Sequence, residues 1–171
     1  DVVVFNPNTF SSDTHIGIGS VNINSDNTRV LYTVDTTGRE DYDLIVNYIE
    51  STKENITLQK SVCASAVWIG DSAVYVRSDT SQRPDRVFVD ELCIFSETNN
   101  RYSVSHSLSL LGNRLIVTSE GQQTSQVVVY DHIPQHTFTI VDRVAQRLFV
   151  VEDGKSSFYG LTNEDNATNF K

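Results

Sequence analysis

Apolar and polar positions along the chain alternate in short runs rather than in helical stripes. Ser20-Val21-Asn22-Ile23-Asn24 and Tyr102-Ser103-Val104-Ser105 alternate strictly, as strands with one wet face do. Ser65-Ala66-Val67-Trp68-Ile69 and Arg147-Leu148-Phe149-Val150-Val151 are apolar enough to be covered on both faces. A polar turn follows each run: Ser25 to Thr28, Gly70 to Ser72, Leu111 to Asn113, and Glu152 to Lys155. Asp, Asn and Gly accept the left-handed backbone such hairpins need. Second strands are then predicted at 29–33, 73–77, 114–118 and 156–161. Third strands are predicted at 42–49, 86–92 and 126–130, with a stub at 169–171, and outer fourth strands at 56–60, 93–96 and 137–141. The β-branched residues of Tyr42 to Ile49 favour a strand over the helix that Leu44-Ile45 and Tyr48-Ile49 could otherwise support.

These runs repeat. Tyr32, Tyr75, Ile116 and Tyr159 each lie just after the polar turn and are 43, 41 and 43 residues apart. A period of about 42 residues with four short strands per unit is the pattern of β-propeller blades. The predicted fold is all-β, a partial propeller of about three and a half four-stranded blades. The blade units fall roughly at 20–61, 65–97, 102–142 and 147–171, and residues 1–10 supply the outer strand of a preceding blade. An open run of blades leaves apolar faces in water, so the ring calls for further sequence or a second copy. The chain begins at Asp1 and holds no Met, which reads as an excised piece.

Composition changes the picture by exclusion. The 171 residues carry 13 Lys and Arg against 22 Asp and Glu, a net charge of −9, which repels a phosphate backbone. No nucleic-acid partner is expected. No apolar run reaches membrane-spanning length, so no membrane partner is expected. The absence of an opening signal segment carries little weight in a chain that begins at Asp1 without a Met, and a cytoplasmic setting is the expectation. Cys63 and Cys93 lie in apolar strand contexts and are expected as small buried thiols, not a bridge. The sequons at Asn55-Ile56-Thr57 and Asn166-Ala167-Thr168 would matter only in a secretory compartment.

Catalytic chemistry is thin. No Gly-x-Ser-x-Gly elbow is present; Gly17-Ile18-Gly19-Ser20 has the wrong spacing and leads into a strand. His106 sits in an alternating strand. His132 and His136 flank Pro134, which opposes the helix that would turn both toward one metal. The catalytic, cofactor and metal assignments are therefore none. Carboxylates gather at Glu40, Asp41 and Asp43, and again at Glu152, Asp153, Glu164 and Asp165. They read as solvated loop charge, with an acidic rim attracting basic peptides as the sharper alternative. Trp68, Tyr32, Tyr75 and Tyr159 are expected to pack between blades.

The repeats resemble the propeller of the prolyl oligopeptidase family of serine peptidases, most closely its oligopeptidase B members. In the first repeat the resemblance rests on Gly19-Ser20, Asp26-Asn27, Tyr32, Asp35, Gly38-Arg39-Glu40, Tyr42 and Leu44. In the second it rests on Val67-Trp68, Asp71, Tyr75-Val76-Arg77, Asp79, Arg83-Pro84 and Val87. Thr124 to Val127 with Tyr130-Asp131 continues it, as do Phe158-Tyr159, Leu161-Thr162-Asn163 and Asn169-Phe170-Lys171. Shortened loops after Trp68 and between Leu92 and Tyr102, and the absence of a glycine near Glu50-Ser51-Thr52, mark a divergent member. The resemblance implies a seven-bladed ring, a partner α/β-hydrolase peptidase domain further along the same chain, and short peptides as substrates admitted beneath the propeller. A non-catalytic protein-binding propeller, or a peptidase relative that has lost its triad, are the alternatives.

Overall fold

The computed structural model describes residues 5–7, 15–49, 55–131, 133, 136–154 and 157–163. Among them every regular element is a β-strand, fourteen in all. They are β1 (Gly17–Ile23), β2 (Arg29–Asp35), β3 (Tyr42–Tyr48), β4 (Ile56–Val62), β5 (Ala66–Ile69), β6 (Ser72–Ser78), β7 (Pro84–Val89), β8 (Leu92–Ser96), β9 (Ser103–Leu108), β10 (Arg114–Glu120), β11 (Ser125–Asp131), β12 (His136–Val141), β13 (Phe149–Asp153) and β14 (Phe158–Thr162). They form three four-stranded meanders, β1-β2-β3-β4, β5-β6-β7-β8 and β12-β11-β10-β9, and the hairpin β13-β14. The chain divides into two compact units, Asp1–Ser78 with Phe88–Leu92, and Asp79–Val87 with Cys93–Lys171.

In the first unit, the β1-β2 hairpin turns on Asn24, whose buried side chain accepts the Thr28 N–H at 3.0 Å and the Arg29 N–H at 2.8 Å. Asn27 takes the left-handed backbone there, at φ 59°. Leu31, Leu44 and Val46 of the first sheet then pack against Ala66, Ala73 and Tyr75 of the second, with Trp68 and Phe88 at the margin. Such small-against-large packing is what two pleated faces need to interdigitate. Polar stitches cross the same junction. Ala66 N–H donates to Ser20 Oγ at 3.1 Å, Asn22 Nδ2 donates to Ala66 O at 2.7 Å, and Trp68 Nε1 donates to Asn22 O at 3.2 Å. The alternation that placed Ser20 and Asn22 opposite Val21 and Ile23 is thus a division between a polar seam and an apolar face.

The second unit repeats the logic. β10 pairs in unbroken register with β9 and β11. Ile116, Val127 and Val129 form a buried cluster on which Val151 and Phe158 of the β13-β14 hairpin pack. Ser125 Oγ accepts the Phe149 N–H at 2.9 Å, the counterpart of the Ser20 stitch.

Four expectations need correction. The predicted strand 86–92 is two strands: Asp90, at φ 51°, turns the chain between β7 and β8 and offers its carboxylate to the Ala73 N–H and its carbonyl to the Tyr75 hydroxyl. Glu152 and Asp153 belong to β13 rather than to the turn, which closes through the Gly154 N–H to Ser157 O at 2.8 Å. The four marker residues do not share one face. Tyr32 lies on the face of the first sheet turned away from the second sheet, with Val30 and Val34, and Tyr75 lies on the corresponding face of its own sheet, the one that meets Leu31. Ile116 and Tyr159 point the other way, because Val117 and Phe158 hold the equivalent places; a one-residue slip along a strand exchanges its faces. Cys93, expected to be buried, is exposed, and both cysteines are free thiols. The expectations for residues 1–4, 8–10, 50–52, 155–156 and 164–171 lie outside the described residues.

Candidate functional site

The residues singled out for chemistry are placed as scaffold. Gly17 to Ser20 run along β1, and Gly19 lies so close to the chain between β4 and β5 that a Cβ would sit 2.4 Å from Ala64 O and 2.6 Å from Thr33 Oγ1. The Ser20 hydroxyl is 3.3 Å from Thr33 Oγ1 and holds Ala66. Asp35, fully buried at the end of β2, accepts the Thr37 hydroxyl and N–H at 2.7 Å each, the Gly38 N–H at 3.1 Å and the Glu40 N–H at 2.8 Å. Burial opposes its ionisation, but the hydrogen bonds outweigh burial and bring its pKa down to about 2. Glu40 and Asp41 flank this turn, exposed, and Asp43 is 3.9 Å from Lys60. Asp153 is not solvated loop charge; it is buried, 3.5 Å from Arg114 Nη1. Among the described residues no group of three or more His, Cys, Asp and Glu could hold a metal. His106 is half-buried in β9 and His136 opens β12, exposed, while His132 and Pro134 lie outside the described residues.

The most concentrated polar chemistry lies in the second unit, around the loop that joins β8 to β9. Buried Glu97 accepts the Ser119 hydroxyl at 2.5 Å and Arg143 Nη2 at 2.5 Å, and its other oxygen takes the Asn99 N–H at 2.8 Å. Burial works against the charge, yet these donors hold the Glu97 carboxyl below its ordinary range. Arg83 pairs with Asp79 at 2.9 Å and donates to the carbonyls of Tyr102, Glu97 and Asn99, so it threads the same loop from beneath. Arg143 also covers the Tyr102 ring, its guanidinium carbon 3.7 Å from the centroid.

Beside this knot opens a cavity of about 680 Å³, lined by residues of three loops: Arg101 and Tyr102, Gly121 to Thr124, and Ala145 with Gln146. Its walls are fixed. A Cβ on Gly121 would meet the Tyr102 ring at 3.0 Å, the Thr124 hydroxyl donates to Val144 O at 2.6 Å, and the Gly121 N–H donates to Thr124 O at 2.9 Å. Of these lining residues only Tyr102 and Thr124 stand out in the sequence, as parts of strands and their flanks and not as binding residues. No residue type marks the cavity, which the meander assembles from segments about 20 residues apart.

Consecutive four-stranded antiparallel meanders, each stitched to its successor within its unit, are the construction of a β-propeller. The chain belongs to the family described as the prolyl oligopeptidase N-terminal β-propeller domain, whose model matches residues 1–171. No curated protein matches it. Among solved structures it is similar to oligopeptidase B from Leishmania major, at 23% identity and a TM-score of 0.89, over 99% of this chain and 26% of that one. Oligopeptidase B from Trypanosoma brucei, in closed form with antipain covalently bound, is similar at 21% identity and a TM-score of 0.85, over 99% and 26%. Apo prolyl oligopeptidase B from Galerina marginata gives 15% identity and a TM-score of 0.67, over 92% and 27%. The chain therefore spans about a quarter of the length of the solved relatives it matches.

Proposed function

We propose that this chain is part of the propeller that covers the catalytic cleft of a serine oligopeptidase and restricts entry to short peptides. The observation that carries the reading is the family match over the whole of residues 1–171. In this reading the described sheets are blades of a larger ring, with units near 20–61, 65–97, 102–142 and 147–171, and residues 1–10 close a preceding blade. The partner is an α/β-hydrolase domain of the same protein, which supplies the nucleophile; the blades cut no bond themselves. Two relatives support a moving lid. The Trypanosoma brucei enzyme is a closed form, and a pair of prolyl endopeptidases is described by the role of inter-domain dynamics in catalysis and specificity. A cover that hinges open makes access part of turnover. Its setting is read as cytoplasmic.

The test uses the full-length protein. A fluorophosphonate probe is expected to label it, and a chromogenic peptide ending in Arg is expected to be cut, while a folded protein bearing the same sequence in a surface loop is left intact. Equal cleavage of both substrates would overturn the gate, and absence of labelling would point to a relative without its triad.

A further inference from the structure

We infer that the cavity between Tyr102, Gln122 and Gln146 is a binding site for an extended peptide bearing a carboxylate. Arg101 is the single charged side chain in its lining, and its guanidinium makes no hydrogen bond or ion pair among the described residues. In a chain of net charge −9, four of the five other arginines in this unit, Arg83, Arg86, Arg114 and Arg143, are paired with a carboxylate. A free guanidinium offers two parallel N–H donors that match a carboxylate. The side-chain amides of Gln122, Gln123 and Gln146 also make no hydrogen bond among the described residues. Each presents one acceptor and two donors, the complement of a peptide unit. An aromatic ring, that of Tyr102, completes the wall, and Gln146 is held there in left-handed backbone at φ 62°.

The size fits: a cavity of about 680 Å³ falls within the usual span of ligand sites and takes a few residues of extended chain. Rigidity favours binding too, since Tyr102 is clamped by Arg143 on its face and by Gly121 at its edge before any ligand arrives. The occupant is thus defined by one carboxylate for Arg101 and backbone amides for the glutamines. A peptide C-terminus and an acidic side chain both supply that chemistry.

The experiment measures fluorescence anisotropy of the full-length protein at low salt with three fluorescein-labelled probes: tetraalanine with a free C-terminus, tetraalanine amide, and Ala-Ala-Glu-Ala amide. At least one of the two carboxylate probes is expected to bind about tenfold more tightly than tetraalanine amide, and which one does so names the source of the carboxylate. Arg101→Gln is expected to remove that advantage without moving the melting temperature, since the side chain has no partner to lose among the described residues. Gln146→Glu places a like charge in the wall and is expected to weaken the same probe by a similar factor. Equal binding of all three probes, absence of binding, or full binding by the Arg101→Gln protein would overturn the site. Peptide size selectivity, the readout of the gate, does not depend on these variants, so the two readings fail separately.

Discussion

Gly19 shows how much of a blade junction can depend on the absence of one methyl group. Its backbone passes against Ala64 O and Thr33 Oγ1, and Thr33 Oγ1 in turn accepts the Ser20 N–H at 2.9 Å and donates to Ala64 O. Backbone forms one side of this contact, so a Cβ cannot be accommodated by rotating a side chain away. Gly19→Ala is expected to destabilise the protein by about 2 kcal/mol, read as a lower urea midpoint at unchanged slope. A midpoint within error of the wild type would show that the two segments separate freely. Asp35 gives a second handle, through pH. Its pKa is lowered to about 2 from an ordinary value near 3.8, so the unfolded chain binds the proton more tightly than the folded one. Its contribution is complete above about pH 4 and disappears as pH falls toward 2. Asp35→Asn is expected to flatten the fall in stability between those limits; an acid limb parallel to that of the wild type would refute the assignment.

At the scale of elements, the Glu97–Arg143 pair ties the β8-β9 loop to the segment before β13, and Ser119 on β10 completes it. Glu97 is buried while Arg143 keeps about a quarter of its side chain in water, which moderates the pair. Arg143→Gln leaves the carboxylate with only neutral donors and is expected to cost about 2 kcal/mol; Glu97→Gln in that background should recover part of it. A double mutant whose loss equals the sum of the single losses would mean no coupling. This tie was not legible in the sequence, and the reason is physical. Strand alternation and Asn, Asp and Gly at turns are local signals, and they located the strands and most hairpins. The break at Asp90 carried no Gly or Pro; Asp90 instead tolerates the left-handed backbone by turning its carboxylate to Ala73. The slip from Val117 to Ile116 and from Phe158 to Tyr159 arose because adjacent positions there are all apolar, so composition could not tell the two faces apart. The cavity residues were missed for a different reason: only the sheet brings Arg101, Gln122 and Gln146 together.

For the whole molecule, the decisive feature is the face of the first sheet that the second sheet does not cover. Val30, Tyr32 and Val34 are buried there beneath Phe5, Ile16, Ile45 and Ile49, yet Val21 and Ile23, which pair with Tyr32 and Val30, remain 42% and 45% exposed. A strand that spends its polar residues on the seam to the second sheet and its apolar ones on the opposite face is built to be covered on both sides. If a ring closes over this face in the full-length protein, Ile23 becomes interior, and Ile23→Asp buries an unpaired carboxylate. The expected loss is then about 3 kcal/mol or more, seen as a fall in melting temperature together with a greater susceptibility of the β1-β2 hairpin to proteolysis. If the face stays in water, the same substitution changes stability by no more than about 0.5 kcal/mol, because a surface carboxylate at a half-exposed position needs no partner. Asn22→Ala serves as the reference on the opposite side of the same strand: its side chain already bonds Ala66 within the first unit, so its loss is felt in either case. A large effect at Asn22 with none at Ile23 would therefore rule out ring closure across the first sheet without bringing the fold of the sheet itself into question.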